Sequence, residues 1–323
     1  MALSVDALDF RYPTHLALSA VSFALPTQSV TALIGPNGAG KSTLLRCIAG
    51  LLRPTRGAVR LDDIEVATDP RAAHRRMGFL EDNFGLYDAL TVARCLRYAA
   101  ASRGVAASEL PARVQQVAEQ LEISGKLNAR VGELSRGQRQ RVAIGQSIIH
   151  SPQLLVLDEP ASGLDPEARG SLAALFRRLA AGGMTLLVSS HILTELEEYS
   201  THMLALRDGR VVEFRAIGAA VNDATNMAQR RTRIIELRLH APWPTMQVSL
   251  AAWGMAANID AARPLHATLN VDMTDTEQGE LLQMLIAAGA PLLGFEERRQ
   301  RLAETYQSTL DRAASTASAG SAQ

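Results

Sequence analysis

Ser29-Val30-Thr31-Ala32-Leu33-Ile34 runs directly into Gly35-Pro36-Asn37-Gly38-Ala39-Gly40-Lys41-Ser42. The first stretch is short and nearly continuous in apolar character, the pattern of a strand buried on both faces. The second matches G-x-x-x-x-G-K-[ST]. A helix is expected after it, from about Lys41 to Leu51, stopped by Arg53-Pro54 and Gly57. Strand, glycine loop and helix in that order make a phosphate cradle. Glycine lets the backbone turn so that several N–H groups converge on an anion, and the helix start adds partial positive charge. Lys41 is placed to reach β- and γ-phosphates. Ser42 is a candidate Mg²⁺ ligand, and the Thr43 hydroxyl a candidate partner for an α-phosphate.

A second buried strand, Leu154-Leu155-Val156-Leu157, ends in two carboxylates, Asp158 and Glu159. The carboxyl end of a strand in a parallel sheet is where ligands sit. Beside a phosphate loop, Asp158 is the candidate Mg²⁺ ligand, directly or through water, and Glu159 the candidate general base for an attacking water. A third buried strand, Met184 to Ser190, precedes His191. Strands alternating with helical segments indicate an α/β fold on a parallel sheet. LSVDALDF and LSAVSFAL near the start alternate like strands exposed on one face, and HMLALRDGRVVEF reads as a hairpin around Asp208-Gly209. Residues 91–150 form a mostly helical insertion, read as a subdomain. TELEEYS is a short helix.

Composition narrows the function. Lys+Arg 33 equals Asp+Glu 33, without the basic surplus that a general nucleic-acid binder needs. Cys47 and Cys95 have no CxxC spacing and no histidine cluster, so buried thiols are expected rather than a zinc site. MALSVDALDFRYP lacks the basic start and apolar run of a signal peptide. No stretch approaches the roughly 18 apolar residues of a spanning helix. Any membrane role therefore needs spanning segments from other chains.

Leu134-Ser135-Arg136-Gly137-Gln138 resembles the LSGGQ signature of the ATP-binding cassette (ABC) ATPases, with Arg136 replacing the first glycine. Further residues match in the family's order. Tyr12 is similar to the aromatic that stacks on adenine, Ser162-Gly163-Leu164-Asp165 to the D-loop, and His191 to the switch histidine. The resemblance covers residues 3–215. It implies a P-loop NTPase cassette with a RecA-like parallel sheet core, an N-terminal antiparallel β subdomain and a helical subdomain. It also implies an ATPase that uses ATP and Mg²⁺. Residues 35–43, with Tyr12, Ser135, Gly137, Gln138 and Asp165, would hold the nucleotide. Ser42, Asp158 and Asp82 would serve the metal, and Lys41, Glu159, His191 and Asp82 the chemistry. In this family the Ser135 helix meets the γ-phosphate on a partner's loop. The implied assembly is a dimer of cassettes, a homodimer here, docked on separate transmembrane permease subunits. That places the chain peripherally at the cytoplasmic face of the inner membrane, with no nucleic acid expected.

The sequence departs from the family in two places. Met77-Gly78-Phe79-Leu80-Glu81-Asp82-Asn83 puts Asp82 where the family has the Q-loop glutamine, which adds negative charge near the phosphates. Arg136 is tolerable if its side chain projects away from the nucleotide. FGLYDALT at 84–91 offers Phe84, Leu86, Tyr87 and Leu90, either packed into the helical subdomain or forming a groove for a permease helix.

Residues 216–231 read as a linker, and 232–312 as a small α+β domain. That domain contains the strands IIELRLHA and HATLNVDM, a helix opened by a Thr274/Glu277 capping box, and a last helix RLAETYQSTLDRA. Residues 313–323 form a low-complexity tail, expected to be disordered. FGLYDALT, the C-terminal domain and Leu302-Ala303-Glu304-Thr305-Tyr306 resemble the ABC-2-type exporters for sodium and drugs, which points to export. Two other readings stand beside transport: a soluble ABC ATPase of translation or DNA repair, and a cassette that senses nucleotide without turnover. One cassette with no sustained heptads weighs against the first. Intact Lys41, Asp158, Glu159 and His191 weigh against the second.

Overall fold

The computed structural model describes residues 2–190, 196–217, 231–255, 257–259 and 265–298. Two compact units divide them, one within Met1–Ile217 and one within Gly218–Arg301.

In the first unit, β1 (Leu3–Arg11), β2 (Leu16–Leu25), β4 (Arg56–Leu61) and β5 (Ile64–Glu65) form an antiparallel sheet in the order β2-β1-β4-β5. The second sheet holds β3 (Val30–Ile34), β6 (Met77–Leu80), β7 (Leu154–Leu157), β8 (Thr185–Ser189), β9 (His202–Arg207) and β10 (Arg210–Ala216). Its order is β10-β9-β3-β8-β7-β6, parallel from β9 to β6, with β10 antiparallel at the edge. The helices are α1 (Lys41–Ile48), α2 (Pro70–Arg76), α3 (Val92–Ser102), α4 (Leu110–Gln120), α5 (Arg136–Ile148) and α6 (Pro166–Ala181).

The continuous apolar strands are explained by two cores. Successive residues of a strand point to opposite faces. Leu33, Leu154, Val156 and Leu187 pack with Leu44, Leu45 and Ile48 of α1 and with Leu3, Val5 and Leu8 of the antiparallel sheet. Ile34, Leu155, Leu157 and Val188 face the other way, toward Leu96, Ile144, Leu175 and Phe176. Cys47 and Cys95 are free and buried, as expected. Burial pushes the Cys47 thiol up to about 12 and raises that of Cys95.

Several elements end at positions other than those the sequence pattern predicts. Helix α1 closes at Ile48 rather than Leu51, and the chain turns through Gly50. Helix α2, opened by the Asp69 side chain accepting from Ala72 N–H at 2.9 Å, was not expected. Strand β10 reaches Ala216, inside the expected linker, and residues 218–230 lie outside the described ones. So do His191, the first two residues of the expected short helix at 194–200, the last helix, the Leu302–Tyr306 match and the tail.

The second unit runs β11 (Arg231–Leu239), α7 (Met246–Ala252), β12 (Ala257–Ile259), β13 (His266–Met273), α8 (Asp275–Ala287) and β14 (Leu292–Arg298). The sheet order β12-β13-β11-β14, with every neighbour antiparallel, makes this βαββαβ chain a split βαβ unit of ferredoxin-like topology. Ile235, Leu237 and Leu239 alternate inward on β11 to meet Leu250 and Leu285. The Thr274 capping box forms as the sequence suggests, with Thr274 N–H donating to Glu277 at 2.7 Å and Glu277 N–H to Thr274 at 3.2 Å.

One half-buried histidine just past α5 ties that helix to the parallel sheet. His150 Nε2 lies 3.2 Å from the Met77 carbonyl, which can only accept, so Nε2 carries the proton. Burial, then the nearby Arg103, pushes the imidazole from its ordinary 6.5 down to about 4. Between those values the unfolded chain binds more protons than the folded one. Stability from this site is therefore complete above about pH 6.5 and is lost as pH falls toward about 4. Replacing His150 with Gln should flatten the pH dependence of the unfolding free energy over that window, as read from urea titrations of both proteins.

Candidate functional site

The carboxyl ends of β3, β8, β7 and β6 are brought level by their hydrogen-bonded register. Leu33 pairs with Ser189, Leu157 with Val188, and Leu80 with Leu157. The glycine loop after β3, Asp158-Glu159 after β7, and Glu81-Asp82 after β6 therefore emerge from one edge.

The loop itself is a tight turn closed by Ala39 N–H donating to Pro36 O at 3.1 Å. Gly40 takes φ 99° and leads into α1, and a Cβ there would meet the Ala17 carbonyl at 2.8 Å. Lys41 is buried, and its ammonium donates to the carbonyls of Gly35 (2.7 Å) and Pro36 (3.2 Å). Pro36, Asn37, Gly38 and Ser42 are exposed. Phosphate oxygens can therefore meet the loop and helix amides from the solvent side. Tyr12 stands over the first turn of α1, its hydroxyl 3.4 Å from Thr43 Oγ1. One ring face is stacked on His15, with centroids 5.2 Å apart and planes at 27°. Tyr12 is thus tied to the helix that opens at the phosphate loop.

At the end of β7, Asp158 is buried and Glu159 half-buried. Glu159 has φ 49°, a left-handed conformation that residues with a Cβ seldom adopt. Ser189 holds this turn. Its hydroxyl donates to Asp158 Oδ1 at 2.6 Å and accepts from Glu159 N–H at 2.9 Å. Ser189 belongs to none of the motifs that mark the other site residues. The signal available was a hydroxyl residue closing an otherwise apolar, fully buried strand. The donors present, a Ser42 hydroxyl and an Asp158 carboxylate, are hard oxygens of the kind that suits Mg²⁺ beside phosphates.

Asp82 lies exposed just beyond β6. Its neighbour Glu81 pairs with Arg46 of α1 at 3.0 Å, which neutralises one of the two added carboxylates. Ser135 caps α5 in a full capping box. It accepts from Gln138 N–H at 3.3 Å, and Gln138 Oε1 accepts from Ser135 N–H at 3.1 Å. The cap is exposed. Arg136 turns to the D-loop segment of its own chain: Nη2 donates to Ser162 O at 2.8 Å, and the guanidinium covers Gly163. Asp165 caps α6 through Ala168 N–H at 2.8 Å. Phe84, Leu86 and Leu90 pack against the helical core, while Tyr87 is exposed. The same segment is fastened to the signature helix by an Asp88–Arg139 ion pair at 2.8 Å.

The family model described as ABC transporter matches residues 18–162. ABC transporter ATP-binding protein NatA of Bacillus subtilis is 33% identical over 197 residues, 61% of this chain and 80% of that protein. The chain belongs to the ABC transporter ATP-binding family. Nod factor export ATP-binding protein I of Burkholderia thailandensis is 34% identical over 215 residues, 65% of this chain and 71% of that protein. A methionine import ATP-binding protein of Shouchella clausii is 35% identical over 198 residues, 60% of this chain and 58% of that protein. A solved ATP-binding subunit of an ABC transporter is 32% identical with a TM-score of 0.61, covering 67% of this chain and 90% of that one.

As a cassette of this family the chain binds and hydrolyses ATP, and it powers transport through separate membrane components. This settles the choice among the three readings in favour of the transporter. Among the described residues, no helix is long and apolar enough to cross a membrane.

Gly40→Ala should cost at least tenfold in affinity for a fluorescent ATP analogue while leaving the far-UV circular dichroism unchanged. The strain at φ 99° and the clash with Ala17 O are local to the loop.

Proposed function

We propose that two copies of this cassette clasp ATP between the glycine loop of one and the capped Ser135 helix of the other, and so drive a permease bound at the cytoplasmic membrane face. One observation carries this reading: the Lys41 loop and the Asp158-Glu159 pair emerge from one sheet edge, while Ser135 offers an exposed, capped helix start.

Lys41 and the N–H groups of residues 37–43 hold the phosphates, and Tyr12 presents its ring to the adenine. Ser42 and Asp158 are the oxygen donors for Mg²⁺, which when bound offsets the charge that builds on the phosphates. Glu159 orients and deprotonates the attacking water. His191 takes the switch role that the family resemblance implies. Asp82 stands in the Q-loop position, and the Arg46–Glu81 ion pair limits the repulsion that its carboxylate adds.

The dimer closes on ATP because only the triphosphate bridges both surfaces. Hydrolysis removes that bridge, so the cycle follows differential affinity. Phe84, Leu86, Tyr87 and Leu90 receive a helix of the membrane subunit, and the Asp88–Arg139 pair carries its movement to the signature helix. Export is the direction favoured by the resemblance of residues 84–91 and of the C-terminal unit to the sodium- and drug-export cassettes.

Glu159→Gln should lower steady-state phosphate release by about a hundredfold or more, with ATP still bound. It should also convert the protein to a dimer on ATP addition, as read by light scattering after gel filtration. A variant that stays monomeric with bound ATP would contradict the sandwich.

A further inference from the structure

We infer that Ser189 is a positioning residue for ATP hydrolysis: its single hydroxyl sets the metal-binding carboxylate Asp158 and the peptide that carries Glu159. The inference rests on the roles proposed above for those two acids.

The geometry forces the direction of each bond. A backbone N–H can only donate, so the Ser189 oxygen accepts from Glu159 at 2.9 Å. An ionised carboxylate can only accept, so the one hydroxyl proton goes to Asp158 Oδ1 at 2.6 Å. The donating bond is short and charge-assisted. It polarises the hydroxyl and strengthens its acceptance from Glu159. Ser189 is fully buried, so no water replaces it freely.

Place in the sheet explains why a residue of β8 has this task. β8 lies between β3, which feeds the glycine loop, and β7, which feeds the two acids. Ser189 pairs with Leu33 on the β3 side, and Val188 with Leu157 on the β7 side. Its hydroxyl thus ties the Asp158 end of the sheet to the strand beside the phosphate loop.

Adjacent carboxylates repel, yet one must face a cation and the other a water. Glu159 follows Asp158 directly and takes a left-handed turn, φ 49°. That conformation persists only where its surroundings hold it, and the Ser189–Glu159 bond is the restraint from β8. Without the hydroxyl, Glu159 N–H and Asp158 Oδ1 both lose a partner, and the turn can relax.

The test compares Ser189→Ala, Glu159→Gln and the parent chain. In nucleotide-free protein, hydrogen–deuterium exchange at the Glu159 amide should rise at least tenfold in Ser189→Ala, with the β3 and β7 amides unchanged. In hydrolysis, kcat should fall tenfold to a hundredfold while affinity for a fluorescent ATP analogue changes less than threefold. Unchanged exchange at Glu159, or parent kcat in Ser189→Ala beside an inactive Glu159→Gln, overturns this inference alone. Parent-rate hydrolysis in Glu159→Gln overturns the assignment of Glu159 itself, and this inference with it. If Ser189→Ala does not fold, Ser189→Cys keeps the side-chain shape with a somewhat larger atom and weakens both bonds. Faster amide exchange with lower kcat in that variant then supports the inference, and parent values overturn it.

Discussion

The main-chain hydrogen bonds that hold β8 between β3 and β7 govern everything at the nucleotide edge. Leu33 opposite Ser189 and Leu157 opposite Val188 fix where three strands stop. A one-residue slip would turn every side chain of a strand to the opposite face. Leu154 and Val156 would leave the core under the antiparallel sheet, and Leu155 and Leu157 the core under the helices. Because both faces are buried, neither slip is tolerated. The chemistry at the strand ends inherits that rigidity.

From this frame the site is assembled out of short backbone irregularities. The glycine loop turns at φ 81° and 99° at Gly38 and Gly40, and Glu159 turns at φ 49°. Both occur at the carboxyl edge, where strands give way to loops, and each is restrained by a neighbour. Lys41 braces the glycine loop through the carbonyls of Gly35 and Pro36. Ser189 braces the acidic turn. Arg136, the residue that breaks the usual signature, serves a similar end by joining the α5 cap to Ser162 of the same chain. Its charge is spent on a backbone carbonyl instead of standing at the helix start.

The second unit follows a different logic. Its four strands are antiparallel, and its βαββαβ order needs two helices on one face to close a core. Buried Arg233 donates to Met273 O at 3.2 Å and to Glu297 at 2.9 Å, so a charged residue inside this small core is paired rather than stranded.

Much of this could be read from the chain alone, because the deciding signals are local. The strand–glycine loop–helix sequence, the apolar run ending in Asp158-Glu159, and the Ser135 and Thr274 caps each specify their geometry within a few residues. What tertiary structure decided is whatever depends on residues distant in sequence. The strand order β3-β8-β7 placed Ser189 against Asp158 and Glu159, about thirty residues away. Folding of α5 beside the start of α6 gave Arg136 its partner. Pairing across β11 and β13 turned an unresolved α+β stretch into a split βαβ unit. Local pattern fixes which element forms, since periodicity and caps act over one or two turns. Contacts between elements depend on how hydrophobic faces are shared among strands and helices, and no short stretch of sequence carries that information.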